Sequence, residues 1–314
     1  MRVIGDDETH FIVRGEKVLI WEGGKFFLNF LQGDLLRELG LFFRDDPRHP
    51  LHGWWMAMRM QASNRVAFGP ERGLMSTVAV LSFFTVAYDL FVLADNSKPR
   101  ERLVKALRVP DQFHGARYEL MIAACLVRAG FDFFFSDEDD SSSSHSDGTA
   151  IHRRTKKRYS VEMKTKGRPG VLGKDGERPS PETMRGNVSR QLRDALQKPA
   201  QDERLIFIDM NLPPPPPEWR GEGVWWRADA LASKRAVEEQ PGNTPVDATG
   251  FVVFTNMPSN QMAHDEFYMG LERAFTGYNK PDFAAGLPRL GDAYPDIADL
   301  FHAFANHDSM PQTF

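Results

Sequence analysis

Glu162 and Lys164 stand two residues apart in the stretch Tyr159-Ser160-Val161-Glu162-Met163-Lys164. Its alternation of apolar and polar residues predicts a strand, on which side chains alternate between faces with period two. Tyr159, Val161 and Met163 then share an apolar face, and Ser160, Glu162 and Lys164 share the other. A carboxylate and an amine about 6 to 7 Å apart on one rigid face can hold a divalent metal ion and a nucleophilic water together. Asp147, in Ser146-Asp147-Gly148-Thr149, stands at the start of a neighbouring strand, at the edge of a Ser/Asp-rich loop that also holds Asp137, Asp139 and Asp140. Those three read first as solvated loop residues.

The elements that must position these residues are legible around them. Residues 113–129 form a helix with an apolar stripe of Tyr118, Ile122, Cys125, Leu126 and Ala129, and Gly130 as its C-terminal cap. Strands are predicted over 131–135, 149–154 and 159–165, with a basic turn Thr155-Lys156-Lys157-Arg158 between the last two. A Gly/Pro-rich loop follows over 167–181, then a helix over 183–198 and a buried strand over 205–209. The order is therefore helix, three antiparallel strands, helix, strand. Upstream, residues 1–110 read as a mainly helical region after a short strand at Val18–Trp21, with a helix over 26–43. Downstream, five consecutive prolines (213–217) form a stiff connection. A helix over 225–239 and a strand over 251–254 come next, and the remainder is helical and irregular. Two regions result, 1–110 and 111–314.

In this order the segments GARYELMIAACLVRAGFDFFF and SDGTAIHRRTKKRYSVEMKTK resemble the core of the PD-(D/E)XK nuclease superfamily, the restriction-endonuclease-like fold, over residues 113–210. The resemblance implies an α/β fold: a central mixed sheet flanked by helices in the order αβββαβ. In that family the Asp and the Glu of E-x-K bind a divalent cation, Mg2+ or Mn2+. The Lys positions or deprotonates the attacking water, and an acid of the preceding helix often contributes. By position those roles fall on Asp147, Glu162, Lys164 and Glu119, and the Met163 carbonyl would add a ligand. Ser146 replaces the proline that often precedes the Asp, which leaves Asp137, Asp139 and Asp140 as alternatives for that role. Related nucleases also place a polar residue on the following helix, here Gln191.

The expected activity is metal-dependent hydrolysis of phosphodiester bonds, with DNA ahead of RNA and a homodimer suited to cutting both strands of a duplex. Charge supports a polyanionic substrate: residues 151–200 hold fourteen Lys/Arg against five Asp/Glu, a local +9. Lys166 shares the face of Glu162 and Lys164 and is the first candidate for phosphate contact, followed by Arg168, Arg158 and Lys157. The rest of the chain carries −13, which argues for a local contact rather than a wrapping surface.

Other classes are excluded or weaker. One cysteine leaves no disulfide framework and no thiolate zinc cluster. No H-E-x-x-H, P-loop or dinucleotide fingerprint occurs. The N-terminus lacks the apolar run of a signal peptide. The apolar segment 76–94 approaches membrane-spanning length, but Asp89 within it points to a core helix. A cytoplasmic protein is expected. The alternatives are a catalytically inactive relative serving as a nucleic-acid-binding or protein-interaction module, and a helical scaffold whose E-x-K strand is only surface.

Overall fold

The computed structural model describes residues 2–5, 9–14, 17–22, 46–68, 77–93, 97–136, 146–215 and 224–307, with short breaks inside the last two stretches. The helix expected over 26–43 and the acids Asp137, Asp139 and Asp140 lie outside these residues. Contacts divide the chain into two compact units. The first comprises Met1–Ala124, Ala263–Tyr268 and Asn306–Phe314; the second comprises Cys125–Met262 and Met269–Ala305. The division falls inside the helix that spans Pro110–Arg128.

The first unit begins with an antiparallel meander of β1 (Arg2–Gly5), β2 (Thr9–Arg14) and β3 (Lys17–Glu22), where a single strand was expected. Helices α1 (Pro50–Phe68), α2 (Val78–Val92) and α3 (Ser97–Leu107) follow. Helix α4 (Pro110–Arg128) begins in this unit. Helix α2 is buried almost all round, and α1 packs on it. At 15 residues it is about 22 Å long, short of the roughly 30 Å of a bilayer core. Its Asp89 lies buried, 3.3 Å from His307 Nε2. Among the described residues no helix is long and apolar enough to cross a membrane.

Gly130 ends α4 at a φ of +85°, the left-handed cap that only glycine adopts freely. The second unit then runs β4 (Phe131–Phe135), β5 (Gly148–His152), β6 (Arg158–Thr165), α5 (Ser189–Gln197), β7 (Glu203–Asp209), α6 (Arg227–Glu239), β8 (Gly250–Asn256), β9 (Glu272–Tyr278), α7 (Leu290–Ala293) and α8 (Pro295–Ala305). Strands β4 to β9 form one six-stranded mixed sheet in sequence order. Pairing is antiparallel from β4 to β6, parallel from β6 to β8, and antiparallel again at β9. Each parallel step carries a helix in its crossover, as a parallel pair requires. Strand β9 lies where irregular chain was expected.

Helix α5 starts at Ser189, six residues later than the sequence suggests. Gly186 packs so closely that a Cβ there would meet Asp229 Cβ at 2.9 Å. Asn187 Oδ1 then accepts the Ser189 N–H at 3.1 Å and opens the first turn.

The two faces of the sheet are covered differently. Ile206, Ile208, Val252 and Phe254 pack with Leu192, Ala195 and Leu196 of α5, Ala230 and Val237 of α6, and Trp226. On the opposite face Phe304 of α8 stacks on Phe207 with centroids 5.8 Å apart. Tyr159, fully buried, donates its hydroxyl to Asp296 at the start of α8. Burial, then the Asp296 carboxylate, push the Tyr159 hydroxyl pKa far above its usual value. His152 Nε2 lies 3.2 Å from Asp299, which also pairs with Arg154 at 2.6 Å. Helix α8 is thus latched to β5 and β6 by polar contacts at the rim of an aromatic layer. Asp296→Ala leaves the Tyr159 hydroxyl without its acceptor and should cost about 1–3 kcal/mol, read as a lowered urea midpoint. A midpoint equal to wild type would show that the latch adds nothing.

Candidate functional site

The β5–β6 register builds the site. Gly148 pairs with Val161 and Thr149 with Ser160, so Asp147, one residue before β5, stands across from Glu162. Asp147 extends the ladder with its side chain: Oδ2 accepts the Met163 N–H at 2.6 Å. The N–H and C=O of one strand residue point to the same side, so the Met163 carbonyl also faces past the end of β5. On the other flank Glu162 pairs with Ile206 and Lys164 with Ile208. Cross-strand partners share a face, so Glu162 and Lys164 lie on the α5 side of the sheet, opposite Tyr159 and α8.

A further residue, Lys198, enters this face. Leu192, Ala195 and Leu196 bury one side of α5, and Pro199 forbids the helix to continue through its predecessor. Lys198 therefore leaves the helix in extended conformation, with φ −66° and ψ 142°. Arg204 Nη2 fixes this end by donating to the Leu196 and Lys198 carbonyls at 3.3 and 3.0 Å. The Lys198 ammonium reaches Asp147 Oδ1 at 2.6 Å and lies 3.0 Å from Glu162 Oε2. Lys164 Nζ lies 3.4 Å from the same Glu162 oxygen. Two carboxylates and two amines thus converge at the carboxyl end of β6. Nothing around the E-x-K triplet pointed to Lys198; the available signal was a lysine at a helix end directly before a proline.

Glu162 is only 2% exposed, and among the described residues neither of its carboxylate oxygens accepts a hydrogen bond. Lys198 and Lys164 meet its charge as ion pairs. Burial pushes the Glu162 carboxyl up to about 7; Asp147 adds to the rise, and Lys198 and Lys164 offset part of it. Burial works against the charge on Lys198, but Asp147 and Glu162 outweigh it and hold the amine above the usual lysine range.

The donor set suits a hard cation. Mg2+ binds through one or two carboxylates and keeps several waters, and the buried, undonated Glu162 oxygens beside Asp147 are ligands of that kind. Among the described residues no group of three or more His, Cys, Asp or Glu is placed to hold a metal ion, so protein ligands would number two carboxylates and the Met163 carbonyl.

The remaining predicted residues have their own local partners. Glu119 belongs to the first unit, where it pairs with Arg102 at 3.0 Å. Gln191 lies on α5 seven residues before Lys198, hence on the same side of the helix. Lys166 donates to the Asn187 carbonyl at 2.8 Å, and burial and the Arg168 charge hold its amine below the usual lysine range. Arg168 is buried and donates to the Asn211 and Met210 carbonyls at 2.5 and 3.4 Å, clamping the chain after β7. Lys157 pairs with Glu203 at 2.8 Å and Arg158 with Asp202 at 3.4 Å. Both sit at the opposite end of β6 from Glu162, about 13 Å or more along the strand. The basic run does not form a rim around the E-x-K end.

No family model matches the chain, and no curated protein or solved structure matches it.

The raised Glu162 pKa has a thermodynamic sign. Between pH 4.5 and about 7 the folded protein holds a proton that the unfolded chain has lost, so this contribution to stability is complete below that window and is lost as pH rises through it. Glu162→Gln removes the ionisation. In EDTA its Tm should exceed that of wild type by a few degrees at pH 8 and converge with it at pH 5. Equal melting at both values would show that burial does not hold the Glu162 proton.

Proposed function

We propose that the protein is a divalent-metal-dependent nuclease hydrolysing phosphodiester bonds, with DNA ahead of RNA as substrate. The observation that carries this reading is the placement of Asp147 across from Glu162, with Lys164 on the same face at the end of β6. The succession α4, β4, β5, β6, α5, β7 also supports it, being the helix–strand order that the restriction-endonuclease-like core requires.

Asp147, Glu162 and the Met163 carbonyl would hold the cation. When bound, it would offset phosphate charge and make water nucleophilic near neutral pH. The Asp147 contact to the Met163 N–H fixes one carboxylate, and burial in the sheet fixes the other. Lys164, with its amine at the rim of the site, orients the attacking water and donates to the phosphate oxygens as negative charge grows there. Water adds to phosphorus and gives up a proton, the bond to the leaving oxygen breaks, and that oxygen takes up a proton, so that one diester and one water become a monoester and an alcohol.

A second reading has its own observation. An ammonium lodged between the two carboxylates also suits a site that no longer takes a metal, in a nuclease-like fold retained for binding nucleic acid or protein. Cleavage separates the two. Supercoiled and linear DNA and single-stranded RNA, incubated with Mg2+ or Mn2+, should be cut by wild type. Cutting should stop in EDTA and fall about 100-fold or more in Asp147→Ala, Glu162→Ala and Lys164→Ala. Equal residual cleavage in wild type and variants would sink the assignment, since it would mark a contaminant.

A further inference from the structure

The nuclease reading gives Lys198 no task, yet its amine holds the position that a metal-binding site can least afford to lose. Resting on that reading, we infer that the Lys198 ammonium is a placeholder for the divalent cation: it fills the gap between Asp147 and Glu162 in the metal-free protein and is expelled when the cation enters.

Position is the first ground. The ammonium lies 2.6 Å from Asp147 Oδ1 and 3.0 Å from Glu162 Oε2, so a single cationic group already bridges the two carboxylates. A divalent ion ligated by those oxygens at about 2.1 Å would take the same space, and the two cannot share it. At such separations like charges repel strongly in a partly buried setting.

Charge is the second. The ammonium donates its well-formed hydrogen bond to Asp147 and meets the buried Glu162 as an ion pair. It brings one positive charge to two adjacent carboxylates, where a divalent ion would bring two.

Freedom to leave is the third. The Lys198 backbone is held at the end of α5 by Arg204, but its side chain is 23% exposed and carries no other contact to the protein among the hydrogen bonds and ion pairs of the described residues. Rotation about side-chain bonds suffices to release it, with the helix end unmoved. Without the placeholder, Lys164, 3.4 Å from Glu162, would be left to offset both carboxylates. The amine keeps the two carboxylates together and makes metal affinity lower than they would give without it.

Two measurements test this, neither of them an activity assay. Free Mn2+, counted by electron paramagnetic resonance, gives the affinity of wild type and Lys198→Met; the variant should bind at least about tenfold more tightly. Competitive acetylation with acetic anhydride, read by mass spectrometry, gives the exposure of the wild-type amine; Lys198 should react several-fold faster in saturating Mn2+ than in EDTA. Unchanged or weaker Mn2+ binding by Lys198→Met, with labelling indifferent to Mn2+, would overturn the inference and leave the nuclease reading standing, Lys198 then being a permanent strut. Mn2+ binding by neither protein would overturn both. Tighter binding and faster labelling without cleavage of any nucleic acid would uphold the placeholder and remove the nuclease.

Discussion

A carboxylate placed inside a sheet and under a helix has to be answered by positive charge, and much of the second unit is arranged around that demand at Glu162. Removing an ion from water costs several kcal/mol even after the protein relaxes. Among the described residues no backbone donor meets the Glu162 oxygens; two amines from different elements do, one on the same strand and one from the end of α5. Asp147 adds to the difficulty electrostatically and eases it geometrically. Its charge raises the cost of ionising Glu162, while its bond to the Met163 N–H continues the β5–β6 ladder by one more residue.

Strand β6 can carry this arrangement because its two faces do different work. Tyr159, Val161 and Met163 point toward the aromatic layer under α8, and Glu162 and Lys164 point toward α5. The parallel partner on one flank and the antiparallel partner on the other hold the strand rigidly between them. Neighbouring basic residues are drawn into similar local arrangements. The +9 block of residues 151–200 meets acids contributed from outside it: Asp132, Asp202, Glu203 and Asp299. Charge that looks concentrated along the chain is thus dispersed in space, and Arg168 is spent on backbone carbonyls rather than offered outward.

Elements with a strong local pattern were legible in the sequence. The helix ended by Gly130, the strand Phe131–Phe135 and the E-x-K strand follow from apolar periodicity and glycine placement, and each appears within a few residues of its expected bounds. Asp147 could be chosen because a Gly-Thr strand start follows it. Strand β9 was not legible, since Glu272 and Arg273 open it and Gly277 interrupts it. Its burial depends on pairing with β8, which no local pattern reports. Lys198 was missed for a related reason. Its role depends on where the helix crossover brings it, 51 residues after Asp147 in the chain. The late start of α5 came from Gly186 being pressed against Asp229, a contact between segments far apart in sequence.

The bond from Tyr159 to Asp296 spans 137 residues. Chains fold as they leave the ribosome, earlier parts first, so the E-x-K strand is made long before the helix that seals its apolar side. Until residues 295–305 emerge, the aromatic layer behind Glu162 has no cover, and the strand cannot be gripped on both faces. The site therefore becomes rigid only after nearly all of the second unit has been synthesised.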